Sequence, residues 1–181
     1  MLILASASPR RKELLALITQ EFRVVVSEVD EDSSITDAKE LVRELAFIKA
    51  NDVFQNHRKD TVIGADTVVE VEGKIFGKPK DKDDARRMMN ILKGKSHQVH
   101  TGICILQGTQ VLQEVCTTKV FFGDISQEEL ERYLQTEQVL DKAGAYAIQQ
   151  GGAKFVTKIE GCFFNVVGLP VHTVYKLLKK L

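Results

Sequence analysis

The sequence predicts an α/β fold in which strands and helices alternate along a single domain spanning residues 1–181. Three observations carry that reading. Apolar, β-branched runs of strand length recur between segments whose apolar residues have helical spacing. Several helix starts are marked by a capping residue. A chain of 181 residues with 44% hydrophobic content can also bury one sizeable core without needing a second folding unit.

Taken in order, Leu2-Ile3-Leu4-Ala5 reads as a short buried strand, and Ser6-Ala7-Ser8-Pro9-Arg10-Arg11 opens a helix carrying Leu14, Leu15, Leu17 and Ile18. Ser8 suits the N-cap and Pro9 the first helical position, where proline's missing N–H would have been unpaired anyway. Arg10 and Arg11 fit that first turn poorly, because the positive end of the helix dipole disfavours further cations. Two readings stand: inert surface arginines, or a phosphate cradle shared with free N–H groups and the hydroxyls of Ser6 and Ser8. Phe22 to Val26 is a second strand-like run. The acidic Glu28-Val29-Asp30-Glu31-Asp32 after it reads as a solvated loop from which Asp30 or Glu31 could face a cleft. Asp37 and Glu40 have capping-box spacing and open a helix through Leu41, Val42, Leu45, Ala46, Ile48 and Ala50. Lys49 sits between core positions, where its ammonium either snorkels to water, the reading this segment alone favours, or points into a polar site.

Val62-Ile63-Gly64-Ala65-Asp66-Thr67-Val68-Val69 reads as a buried strand that halts on Gly-Ala-Asp-Thr, presenting one carboxylate and one hydroxyl where backbone can come close. It continues through a hairpin-like Glu72-Gly73-Lys74 into Phe76-Gly77-Lys78-Pro79. Taken alone, Asp66 reads as a base or metal ligand or, as this segment favours, as a turn aspartate at the end of an ordinary strand. Asp81 begins a helix with Ala85, Met88, Met89, Ile91 and Leu92 on its apolar side and Gly94 at its close, the methionines serving as core filler. Ile103-Cys104-Ile105-Leu106 enters a hairpin that turns near Gln107-Gly108-Thr109 and returns through Val111 to Phe122. His97 and His100 lack the i, i+4 spacing of a helical zinc pair, and hydrogen-bonding roles in a strand suit them better. Ser126 with Glu129 makes a capping box for a helix bearing Leu130, Tyr133 and Leu134. The small residues of Asp141 to Gln149, with Gly151-Gly152 beyond, suit a segment lying close to a ligand. Phe155 to Ile159 and Phe163 to Val167 read as a closing hairpin around Glu160-Gly161, and Pro170 starts the final helix.

Charge and cysteine usage exclude several classes. Lys+Arg and Asp+Glu are equal at 25 each, so no global field draws the chain to nucleic acid or an anionic membrane, and any phosphate site must be local. No apolar run reaches the ~18 residues needed to span a bilayer, and Met1-Leu2-Ile3-Leu4 lacks the build of a signal peptide, so a cytoplasmic protein is expected. Cys104, Cys116 and Cys162 form no Cys-x-x-Cys pair, which argues against a disulfide framework or structural zinc. A P-loop phosphotransferase is excluded by the lack of a Gly-x-x-x-x-Gly-Lys-Ser/Thr element.

Five motifs can be read together: Leu4-Ala5-Ser6-Ala7-Ser8-Pro9-Arg10-Arg11, Ile63-Gly64-Ala65-Asp66-Thr67, Gly77-Lys78-Pro79, Asp141-Lys142-Ala143-Gly144-Ala145-Tyr146 and Val167-Gly168-Leu169-Pro170. In this order the chain closely resembles, nearly end to end, the Maf family of nucleoside triphosphate pyrophosphatases, also described as septum-formation inhibitors. The resemblance implies a Maf/ITPase-like fold, a mixed twisted sheet flanked by helices with two lobes around a cleft. It implies hydrolysis between the α- and β-phosphates of a nucleoside triphosphate, with a divalent metal, Mg²⁺ or Mn²⁺. By resemblance, Asp66 activates water or holds the metal, Glu31 is the second metal carboxylate, and Lys49, Lys78 and Arg11 face the phosphates. Ser6 and Ser8 lie on the loop that meets them. A hard metal that takes one or two protein carboxylates agrees with this set.

The same resemblance narrows the substrate. The family branch acting on dTTP and UTP carries Arg after Ser-Pro, Thr after Gly-Ala-Asp, and Gln closing the Ala-Gly-Ala-Tyr segment, matched here by Arg10, Thr67 and Gln149. The 7-methyl-GTP branch has Trp and Gln at the first two of these places. Glutamine offers a donor and an acceptor, which suits the imide edge of uracil or thymine. Ala147, where glycine is common, and Cys162-Phe163-Phe164 before Asn165 depart from the family pattern near the base pocket. Removal of non-canonical nucleotides and arrest of cell division are further implications. The competing class is a non-catalytic nucleotide-binding regulator of septum formation, and a homodimer is an allowed assembly.

Overall fold

A computed structural model describes residues 1–181. The elements follow in the order β1 (Leu2–Ala5), α1 (Pro9–Ala16), β2 (Phe22–Val24), α2 (Ala38–Asn56), β3 (Thr61–Val71), β4 (Lys74–Phe76), α3 (Lys82–Leu92), β5 (Ser96–Gln107), β6 (Gln110–Phe122), α4 (Gln127–Thr136), β7 (Val156–Glu160), α5 (Phe163–Val167) and α6 (Val171–Leu178). The strands form one seven-stranded mixed sheet in the order β2-β1-β3-β5-β6-β7, with β4 added to the end of β3. β1 runs parallel to β2 and β3, and the other pairings are antiparallel. The expected two lobes take the form of two walls raised on this continuous sheet.

Helix starts follow the local chemistry. Ser8 accepts the Arg11 N–H at the head of α1, Asp81 caps α3, and Ser126 and Glu129 cap α4 reciprocally. At α2 only half of the expected box forms. Asp37 accepts the N–H groups of Lys39 and Glu40, but the Glu40 carboxylate turns instead to Arg43 at 2.5 Å.

The sheet is covered on both faces, so β3 reads as an almost unbroken buried run. One face carries the larger core, in which Ile63, Met89, Ile103, Tyr133 and Leu169 are fully or almost fully buried. The other face packs on α2 through Ala46, Ala50, Val53 and Phe54. That contact is unusually close. A Cβ on Gly64 would lie 2.2 Å from the Ala46 carbonyl oxygen, and one on Gly102 would lie 2.1 Å from that of Val42. Since the obstacles are helix backbone, α2 would have to lift off the sheet. Gly102→Ala is therefore expected to cost at least the ~1–3 kcal/mol of an overpacked core and to lower turnover by displacing the side chains that α2 presents. Urea unfolding with steady-state kinetics on one preparation checks this; a variant with unchanged midpoint would refute the close-packing account.

Two sequence expectations are corrected. β3 does not halt at Asp66 but runs on to Val71, held along its length by β5. On the opposite edge, β1 ends with Ala5 across from Gly64, and β4, running the other way, ends with Phe76 across from Val69. The interval Ala65–Val68 therefore lacks a strand on that side, and the turn leading into α1 meets it there. This lies beyond the carboxyl end of β1, where ligand crevices of α/β sheets form. Second, Phe163–Val167 is a short helix, not a strand partner of β7, which pairs with β6. The Thr118 hydroxyl donates to the Cys162 carbonyl and accepts its N–H, while the Asn165 amide donates to Val99 O and to Thr118 Oγ1. Gly168, at φ +124°, ends the turn by donating to the carbonyls of Phe164 and Asn165.

Candidate active site

The interval in β3 opens onto a cleft of about 280 Å³ that gathers every residue singled out for the site: Ser6, Ser8, Arg10, Arg11, Glu31, Lys49, Asp66, Thr67, Lys78 and Gln149. Several stretches of chain converge to make it. The Ser6–Arg11 turn and the Glu31 loop bring part of one wall, β3 and α2 bring the floor, and the 141–149 segment with the end of α5 brings the other wall.

Lys49 does not snorkel. The Gly64 and Gly102 contacts set α2 down on the sheet, and the Lys49 ammonium lies 2.7 Å from Asp66 Oδ1 and 2.9 Å from Glu31 Oε2. The Lys49 and Asp66 side chains are about one-tenth exposed, whereas Glu31 is half exposed. Two carboxylates thus aim at one buried cation. The remaining carboxylate oxygens are hard donors of the kind Mg²⁺ or Mn²⁺ takes, and no third histidine, cysteine or carboxylate joins them. This donor set fits a divalent ion that completes its shell from substrate phosphates and water.

Arg11 is committed to the protein. Its Nε donates to Gly168 O at 2.9 Å, Nη1 to Ala65 O at 2.8 Å and more weakly to Ser6 Oγ at 3.4 Å, and Nη2 to Thr67 Oγ1 at 3.0 Å. Four of its five N–H groups are engaged, and the Ala65 carbonyl in the strand interval gains a donor. Burial lowers the Arg11 pKa from its usual value; Asp66 and Glu31 oppose that effect, while Arg10 adds to it. Arg10 reaches across the cleft to the Asp141 carboxylate at 2.7 Å and the Asp141 carbonyl at 3.0 Å. Asp141 also pairs with the buried Lys142 at 2.7 Å. Burial works to raise the Asp141 pKa, but hydrogen bonds from Lys142 and Arg10 hold it below the usual carboxylate value. Lys78 is exposed and has no carboxylate partner, which leaves it free for an anion. The lining holds five cations, Arg10, Arg11, Lys49, Lys78 and Lys142, against three carboxylates, so a positive excess awaits a ligand.

Sequence reasoning missed several members. Asp141 and Lys142 lie in one of the five motifs with no role expected of either, and the link from Asp141 to Arg10 crosses 131 positions. Thr101 and Asn165 carried no local signal at all. Tyr146 lines the cleft and meets the buried His97, whose Nε2 lies 2.8 Å from the phenol oxygen. The other His97 nitrogen has no partner, and burial pushes the His97 pKa down to about 4. Unfolded histidine titrates near 6.5, so between these values the unfolded chain binds a proton that the folded chain refuses, and stability falls as pH drops from about 6.5 to 4. His97→Gln is expected to remove up to ~1.4 kcal/mol per pH unit of that slope. Urea midpoints of wild type and variant at pH 7 and pH 5 check it, with parallel pH dependences counting against the assignment.

Fold and site together define a class: an α/β protein with a cation-rich cleft built for an anionic ligand around a carboxylate pair. The fold matches that of the Staphylococcus aureus Ham1 protein with a TM-score of 0.58 at 16% identity, covering 99% of this chain and 98% of that one. The family model for Maf-like protein matches residues 1–181, and the chain belongs to that family. Among its relatives are proteins named dTTP/UTP pyrophosphatase from Carboxydothermus hydrogenoformans, 44% identical over 98% of this chain and 96% of that protein, and from Caldicellulosiruptor bescii, 46% identical over 99% and 94%. A third, from Thermococcus onnurineus, bears the same name at 45% identity over 98% and 96%.

Proposed function

We propose that the chain hydrolyses the pyrimidine nucleoside triphosphates dTTP and UTP to the monophosphate and pyrophosphate. The observation that carries this reading is the convergence of Glu31 and Asp66 on the Lys49 ammonium inside a cleft with more cations than carboxylates. The names of the three relatives support the same reaction and the same bases.

In this reading Lys78, free of protein partners, takes a phosphate oxygen directly, and the Ser6–Ser8 turn offers its backbone at the head of α1. Lys49 holds the two carboxylates in place and balances charge that develops between the α- and β-phosphates. Asp66 and Glu31 would hold a divalent cation, which when bound neutralises phosphate charge and polarises the anhydride. Asp66 orients the attacking water. Arg11 serves as a positioning residue that ties α1, β3 and Gly168 together, and little of it is left for phosphate. Gln149, exposed at the rim, and Thr67, deeper in the cleft, face the base, with Arg10 held beside them by Asp141.

The test is incubation with Mg²⁺ or Mn²⁺ and UTP, dTTP, CTP or 7-methyl-GTP in turn. UMP or dTMP with pyrophosphate is expected. Release of orthophosphate with a diphosphate would overturn the bond assignment, and preference for 7-methyl-GTP would overturn the base assignment.

A further inference from the structure

Thr67 is not a free hydroxyl. Its Oγ1 lies 3.0 Å from Arg11 Nη2 and 2.9 Å from Thr101 Oγ1, and Thr101 Oγ1 lies 3.2 Å from the Asn165 carbonyl oxygen. The two ends of this chain have fixed polarity, because a guanidinium can only donate and a carbonyl can only accept. All three contacts can be hydrogen bonds at once in one direction alone: Arg11 N–H to Thr67, Thr67 O–H to Thr101, and Thr101 O–H to Asn165 O. Thr101 is fully buried and does not line the cleft, and Asn165 is held in turn by Val99 and Thr118.

The consequence falls on Thr67, which does line the cleft. A hydroxyl has one hydrogen and two lone pairs. The hydrogen is given to Thr101 and one lone pair is taken by Arg11, so toward a ligand Thr67 has only an acceptor left. We infer that Thr101 is a specificity-determining positioning residue: the relay from Arg11 to Asn165 fixes Thr67 as an obligate acceptor, which opposite ring position N3 selects bases with a hydrogen there and rejects those with a bare nitrogen. Uracil and thymine carry a hydrogen on N3. Cytosine at N3 has a lone pair, which would face the Thr67 lone pair with no hydrogen between them. A site that leaves buried polar groups unpaired with the wrong ligand discriminates more sharply than one built on shape alone.

This inference rests on the reading of the cleft as a pyrimidine triphosphate site, so its experiment records turnover and binding separately. Selectivity is measured as the UTP to CTP ratio of kcat/KM, and as the ratio of affinities by calorimetry in Ca²⁺. If wild type binds the two nucleotides differently but turns neither over, the hydrolytic reading fails and the affinity ratio still tests the relay. Thr101→Val frees the Thr67 hydrogen to point either way, and the ratio is expected to fall about tenfold, within the range for one mismatched buried hydrogen bond. Thr101→Ser keeps the relay and should keep the ratio. Thr67→Val should lose the preference, and adding Thr101→Val to it should bring no further loss, since the two act as one unit. Should Thr101→Val fail to fold, Thr101→Ala takes its place.

An unchanged ratio in a folded Thr101→Val or Thr101→Ala protein overturns the proposal, even where UTP turnover falls, because a purely structural role would lower both substrates together. An equal loss of ratio in Thr101→Ser, or a wild type that separates UTP from CTP neither in turnover nor in binding, also overturns it.

Discussion

Asp66→Asn is expected to lower turnover about 10²–10⁴-fold, the range for removing a group that positions or activates the attacking water, while leaving the fold in place. The substitution is nearly isosteric, and the amide oxygen can still accept from the Lys49 ammonium that now lies 2.7 Å away. What disappears is the negative charge. Glu31 stays 2.9 Å from the same ammonium, so the cation is not abandoned, and the stability cost should fall below the ~3–5 kcal/mol of breaking a buried pair outright. Pyrophosphate release at saturating Mg²⁺, with urea unfolding of the same preparation, separates the two effects. Turnover close to wild type in a folded variant would remove Asp66 from both metal holding and water positioning. A large fall in unfolding midpoint with turnover retained would make the residue structural.

Much of the architecture was readable because its signals are local. Ser8 before Pro9, Ser126 three residues before Glu129, and the turns at Gly73 and Gly108 each decide conformation within a few positions. The resemblance to the Maf family joined ten candidate residues into one expected site, and the structure places all ten on one cleft. Features set by distant partners were not readable. Lys49 looks like a snorkelling lysine until Gly64 and Gly102 let α2 settle on the sheet and point it at Asp66. Phe163–Val167 has the composition of a strand, yet the side chains of Thr118 and Asn165 hold it as a helix. Arg11 resembles a phosphate ligand in a serine-arginine turn. Its commitments to Ala65, Thr67 and Gly168 arise only because β1 stops short and leaves part of the β3 edge uncovered.

Lys49→Met should produce the largest loss of stability among the cleft substitutions, together with a loss of turnover on the order of 10²-fold or more. Methionine keeps the buried stem packed but removes the ammonium, so Glu31 and Asp66 face each other with no cation between them. Uncompensated burial of one partner of such a pair costs ~3–5 kcal/mol. The half-exposed Glu31 can swing toward water, which places the expected loss near the lower figure. For a chain of this size each kcal/mol moves Tm by roughly 2–4 °C, so a fall of roughly 6–12 °C is expected. The same vacancy makes a prediction independent of catalysis. If the two carboxylates form a shared cation site, Mg²⁺ or Mn²⁺ should restore part of the lost Tm in Lys49→Met and raise wild type less, because there the ammonium already balances both carboxylates. Binding to the folded state stabilises in proportion to the logarithm of metal concentration over Kd, so a titration reads the difference in affinity directly. Adding Asp66→Asn to Lys49→Met removes one of the two charges and should abolish the extra response. Equal metal shifts in wild type, single and double variants would show that the ion binds elsewhere, and would separate the role of Lys49 from that of the carboxylates it holds together.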